Sequence, residues 1–132
     1  MPVVVYTARV SYGGVDRLDI TRQYGGRDGL PFAPSWSILR PMLDARARWK
    51  TDNTPVADRG SEETALWETY TVAYLKEMRV SYRRSRAAWR AVLARSEVTL
   101  CCVCTDATHC HRTLMAGVFG KLGATIAGER PR

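Results

Sequence analysis

The sequence predicts a compact single-domain α/β protein with a small, mainly parallel sheet flanked by helices, and three observations predict it. Period-two alternation over residues 3–10 and a short apolar run over 98–104 read as strands. Between them, over 61–95, apolar residues step by three and four, the spacing of a helix with one buried face. At 132 residues the chain supplies one core and not two, so a single domain spanning 1–132 is expected. The order strand, strand, helices, strand, helix, strand is that of crossover units, which build parallel sheets.

The first strand is expected over 3–10, ended by Gly13-Gly14, and a shorter one over 17–22, with Asp19, Thr21 and Gln23 sharing a side. Residues 25–34 are punctuated by glycine and proline and read as loop. A helix is expected over 35–50, with Ser35 as cap, Trp36, Leu39, Met42 and Leu43 facing inward, and Pro41 kinking or dividing it. After a polar linker over 51–60, Ser61 should cap a long helix whose stripe is Trp67, Tyr70, Tyr74, Met78, Tyr82, Trp89 and Leu93. About 35 residues is long for one globular helix, so a break is expected near 80–85. Residues 124–128 read as a last strand and 129–132 as a frayed tail.

Twenty Lys and Arg against 13 Asp and Glu leave a net charge of +7, which favours an anionic partner, a small molecule or a nucleic acid. Arg79, Arg83, Arg86 and Arg90 step by four, three and four, which places four guanidinium groups on one narrow face as a phosphate-tracking ridge; the alternative is a solvated face whose arginine stems cover apolar surface. No segment approaches the ~20 apolar residues of a membrane span. The opening Met1-Pro2-Val3-Val4-Val5 lacks the charged lead, long apolar stretch and cleavage site of a signal peptide. Adjacent strand cysteines point to opposite faces and pair poorly, so reduced thiols in a cytoplasmic protein are expected.

The chemistry is concentrated between 101 and 111, which hold all four cysteines and both histidines. The apolar run there is a buried strand by character, followed by a polar turn in which Asp106 or Thr108 could cap a helix. Leu114, Met115, Val118, Phe119 and Leu122 recur at helical spacing, and Gly123 suits the helix end. Cys110, His111 and Arg112 then fall in the first turn, where unpaired N–H groups and the positive end of the helix dipole lower a thiol's pKa and attract anions. Ligands bind beyond the carboxyl ends of parallel strands, which is where Cys104 would lie.

The pattern of Leu100, Cys102 and then Cys110-His111-Arg112, with Asp19-Ile20-Thr21-Arg22 upstream, resembles the domain-of-unknown-function family 488. The resemblance implies an α/β fold and a site at Asp19, Arg22, Cys102, Cys110, His111 and Arg112, without implying an activity. Where the commoner form of that family has a glutamate two positions after its first cysteine, this chain has Cys104, the mark of a divergent branch.

Three functions follow as expectations. In an enzyme, Cys102 or Cys110 is the nucleophile or redox thiol and His111 the acid or base. Arg112 is the anion holder there, and Asp19 with Arg22 and Thr21 completes the pocket. No tightly held cofactor is expected. A phosphatase-like loop is disfavoured, because the position six after Cys110 is Ala116 and that after Cys104 is Cys110. In a zinc or iron site the ligands would come from Cys102, Cys104, His109, Cys110 and His111. The spacing is unlike that of paired zinc knuckles, and successive helical residues diverge by about 100°. In a basic nucleic-acid-binding module the cysteines are core, as Cys101 is on any reading.

Overall fold

The computed structural model describes residues 1–104 and 107–131. Four strands, β1 (Val4–Arg9), β2 (Arg17–Asp19), β3 (Glu97–Cys102) and β4 (Thr125–Glu129), form one sheet in the order β2-β3-β1-β4. Every pair is parallel. The helices are α1 (Trp36–Thr51), α2 (Gly60–Arg84), α3 (Arg86–Leu93) and α4 (His111–Lys121). The expected α/β class is what is observed. None of the described helices is long and apolar enough to cross a membrane.

Sheet faces follow from register. Val5 pairs with Val98 and Thr7 with Leu100, while Leu18 of β2 also pairs with Leu100. Val3, Val5, Leu18, Val98 and Leu100 therefore share one face, and there they join the core with Tyr74, Met78, Trp89, Met115 and Phe119 of the helices. Phe32, Trp89 and Phe119 form a ring cluster with centroids 5.1–5.6 Å apart. α4 lies on β1 and β3, α2 packs on α4, and α1 packs on α2. The other face is closed by polar groups: Thr99 Oγ1 donates to Asp16 at 2.6 Å, and the Arg130 guanidinium sits 3.6 Å above the Tyr6 ring.

Several boundaries differ from expectation, each for a local reason. β2 stops at Asp19, because Asp19 Oδ1 accepts from the Thr21 N–H and hydroxyl at 2.9 and 2.7 Å and turns the chain. The following loop lies directly on that turn: a Cβ on Gly29 would stand 1.7 Å from the Asp19 carbonyl oxygen. Ser35 is the N-cap of α1, yet its hydroxyl bonds Ser37 at 3.0 Å instead of a helix amide. α1 runs through Pro41 undivided, and Trp36 and Leu43 are exposed, leaving Met42, Ala45 and Trp49 as its buried side. α2 starts at Gly60 with Arg59 as N-cap, not at Ser61, because a 3-10 turn at Val56–Asp58 leads straight into it. The helical stretch breaks at Ser85, inside the expected window.

α4 starts at His111, with Cys110 as an extended N-cap after a 3-10 turn at Ala107–His109. Thr108 is in that turn, and Asp106, the other expected cap, lies outside the described residues. Glu129 is not tail but the last residue of β4, which reaches it through a bulge opposite Val5 and Tyr6 with Gly128 at φ +97°.

Candidate active site

The last residue of β3, Cys102, is on the helix-side face, and the chain returns to it within a few residues through Cys110 and His111. The thiols and the ring meet there. Cys102 Sγ lies 3.9 Å from Cys104 Sγ and 3.7 Å from His111 Nδ1. The ligand atoms of Cys102, Cys110 and His111 all lie within 4.8 Å of one another, close enough to hold one metal ion. All three are buried, whereas Cys104 is only partly so.

Hydrogen bonds assign the protons. His111 Nε2 is 2.7 Å from the Ile20 carbonyl, which can only accept, so Nε2 carries the hydrogen and the Nδ1 lone pair faces Cys102. Burial also pushes the His111 pKa down, favouring the neutral ring. Cys102, donating to Cys104, is pushed up to about 12, and Cys110, crowded by the other two sulfurs and buried, is likewise raised. Cys104 accepts from Cys102 at 3.9 Å and from Arg46 Nη1 at 3.8 Å, and these neighbours hold its thiol below the usual range. Of the three sulfurs, Cys104 is the one that faces a guanidinium other than the buried Arg112.

Arg112 closes the base of the cluster. Its guanidinium is fully buried and its donors are committed: Nη1 to the Cys104 carbonyl at 2.8 Å and to Cys110 Sγ at 3.3 Å, Nε and Nη2 to Glu129 at 3.2 and 2.7 Å. Thr7 donates to the same carboxylate. Although partial burial opposes it, Arg112 holds Glu129 below the ordinary carboxylate range. Arg112 therefore ties the loop, the third thiol and β4 together, and does not border the cavity in front of the thiols.

That cavity, of about 90 Å³, has the sulfurs and His111 for a floor and Trp36, Met42, Trp67 and Tyr70 for walls, with Arg22 and Arg46 at its margin. Trp67 and Tyr70 stack at 5.2 Å, and His109 leans over Trp67 at 5.1 Å. Arg22 spends two donors on the Pro34 and Ala33 carbonyls, at 2.8 and 3.0 Å, and so pins the loop before α1.

Of the residues expected from sequence, Thr21, Arg22, Cys102, Cys110 and His111 meet around one cavity. Asp19 does not: it pairs in register with Cys101, on the face away from Cys102, and is engaged with Thr21. His109 turns outward to Glu63 at 3.0 Å, so it leaves the sulfur cluster. The four arginines are elsewhere, and the break at Ser85 divides them. Arg79 and Arg83 border a separate groove of about 470 Å³ with Tyr82, Trp89 and Lys121. Arg86 lies 4.7 Å over the Tyr82 ring, and Arg90 is exposed on α3. Sequence reasoning overlooked Arg46 and Glu129, which left no signal, and it weighed Trp67 and Tyr70 as core ahead of a ligand-facing role. It did place Cys104 just past the carboxyl end of a central strand, where it is found partly exposed.

A family model described as "Active DUF488-N3 subclade" matches residues 31–123, a window that includes Cys102, Cys104 and Cys110-His111-Arg112 and leaves out Asp19 and Arg22. No curated protein and no solved structure matches the chain.

Proposed function

This chain belongs to the DUF488 family, and on that footing we propose that it is an enzyme whose Cys/His cluster attacks an anionic substrate carrying a flat ring, a nucleotide or a piece of nucleic acid. The description of the matching subclade as active favours a working site. The observation that carries the reading is the position of Cys104, the one sulfur of the trio with partial exposure, which accepts from Cys102 and Arg46 at an aromatic cavity. The nucleophile is then Cys104, with Cys102 as the donor behind it. Arg46 and the free edge of Arg22 receive the negative charge, and the Trp67–Tyr70 wall receives the ring.

Alkylation by iodoacetamide at pH 7, followed by mass spectrometry, tests this. One fast phase mapping to Cys104 is expected, slowed by millimolar nucleoside monophosphate and absent in Cys104→Ser, while Cys101→Ser keeps it. Four equally slow thiols would overturn the reading. So would one zinc or iron per chain in the protein as purified, with Cys102 and Cys110 protected, which would make the cluster a metal centre.

A further inference from the structure

The general base of the cluster is attached to the wrong sulfur for a simple one-nucleophile enzyme. His111 Nδ1 faces Cys102 at 3.7 Å, and Cys102 in turn stands 3.9 Å behind Cys104. The partly exposed sulfur needs no base if Arg46 already favours its thiolate. The buried one does, if it must become a nucleophile in its turn. The geometry points to a thiol peroxidase chemistry at this cluster, in which Cys104 reduces a hydroperoxide and Cys102, with His111 taking its proton, resolves the oxidised Cys104 as a Cys102–Cys104 disulfide. This rests on the reading of Cys104 as the accessible nucleophile, and is independent of the nucleotide as substrate.

The steps balance. The Cys104 thiolate attacks the outer oxygen of a hydroperoxide, the O–O bond breaks, and the departing alkoxide or hydroxide takes a proton to leave as alcohol or water, with Cys104 oxidised to the sulfenic acid. His111 Nδ1 then accepts the Cys102 proton, Cys102 Sγ attacks Cys104 Sγ, and the displaced hydroxyl collects that proton and leaves as water. Two equivalents of a small thiol return both cysteines to the reduced state and carry away the oxidation as their own disulfide. The sulfurs must close from 3.9 Å to about 2.05 Å. Cys104 lies two residues beyond the end of β3, outside its ladder, with its carbonyl held by Arg112 at 2.8 Å, so the approach is made chiefly by the two side chains. Cys110 is the less suitable resolver: Arg112 Nη1 donates to its sulfur at 3.3 Å, and the ring of His111 faces Cys102. Cys101 bonds toward the Thr99 carbonyl on the far face and serves as a control.

The test treats the reduced full-length chain with one equivalent of hydrogen peroxide at pH 7 and counts free thiols, with dimedone present to trap sulfenic acid. Wild type and Cys101→Ser should lose two thiols together and give a cysteine peptide lighter by two hydrogens, with little dimedone adduct. Cys102→Ser should instead accumulate the adduct on Cys104. His111→Gln should close the disulfide more slowly relative to its own rate of Cys104 oxidation, by on the order of a hundredfold. Disulfide formation that survives in Cys102→Ser overturns the assignment of the resolver. Fast alkylation of Cys104 with no thiol loss to peroxide overturns this inference alone, and Cys104 inert to both reagents overturns the nucleophile reading with it.

Discussion

A histidine ring only 3 % exposed, with its Nε2–H already spent on a backbone carbonyl, accepts a second proton at high cost. The sign of the pH dependence follows. Burial lowers the folded-state pKa of His111 from 6.5, so as pH falls through about 6.5 the unfolded chain binds a proton that the folded chain refuses, and stability drops. Glu129 and Asp16, both held low, contribute fully above their ordinary values of 4.5 and 3.8 and add a separate loss only below them. Unfolding free energies from urea titrations between pH 7.5 and 5.5 should therefore decline in wild type, by at most about 1.4 kcal/mol per pH unit. In His111→Gln the curve should be nearly flat over the same range; an equal decline in both proteins would assign the effect to other groups. Arg112 teaches the complementary lesson. From sequence, an arginine after Cys-His reads as an anion holder, and nothing local says otherwise. Its counter-charge arrives 17 residues later, from a strand across the sheet, and only the fold reveals that the guanidinium is already engaged.

Among elements, the strand-turn-helix around the cysteines was legible because its parts have different periods: an unbroken apolar run, then polar residues, then three- and four-residue steps. Its helix began later than expected, because residues 107–109 satisfy their backbone in a 3-10 turn and leave Cys110 extended. The loop over 25–34 was legible as loop and nothing more, yet it is held tightly to the end of β2. Gly29→Ala should therefore cost ~1–3 kcal/mol in urea unfolding, since its Cβ would collide with the Asp19 carbonyl. Gly26→Ala, with open space around it, should stay within about 0.5 kcal/mol of wild type. Equal effects would mean that the loop does not rest on that turn.

At the scale of the molecule, α2 separates two surfaces. Tyr70 borders the thiol cavity and Arg79 the cationic groove, nine residues or about 14 Å further along the axis. Composition showed the excess charge; it did not show that the arginines would lie away from the sulfurs, because that depends on how α2, α3 and α4 pack. Nor could periodicity give the sheet order, which sets β1 between β3 and β4, or bring Arg46 of α1 to Cys104. If nucleic acid is the anionic partner, a fluorescent single-stranded oligonucleotide should bind with salt-sensitive affinity. Reversing Arg79 and Arg83 to Glu should reduce the slope of log K against log salt by about 1.4, as for two lost phosphate contacts. An unchanged slope would leave the groove without that role.

The outermost strand gives this design an unexpected weak point. Every residue of β4 is exposed, the strand is paired on one side only, and its ladder is interrupted by a bulge. Such edges open first in native-state fluctuations. An opening there would withdraw Glu129 and leave a wholly buried cation beside Cys110 without its counter-charge, which would couple the electrostatic balance of the sulfurs to a strand that touches none of them.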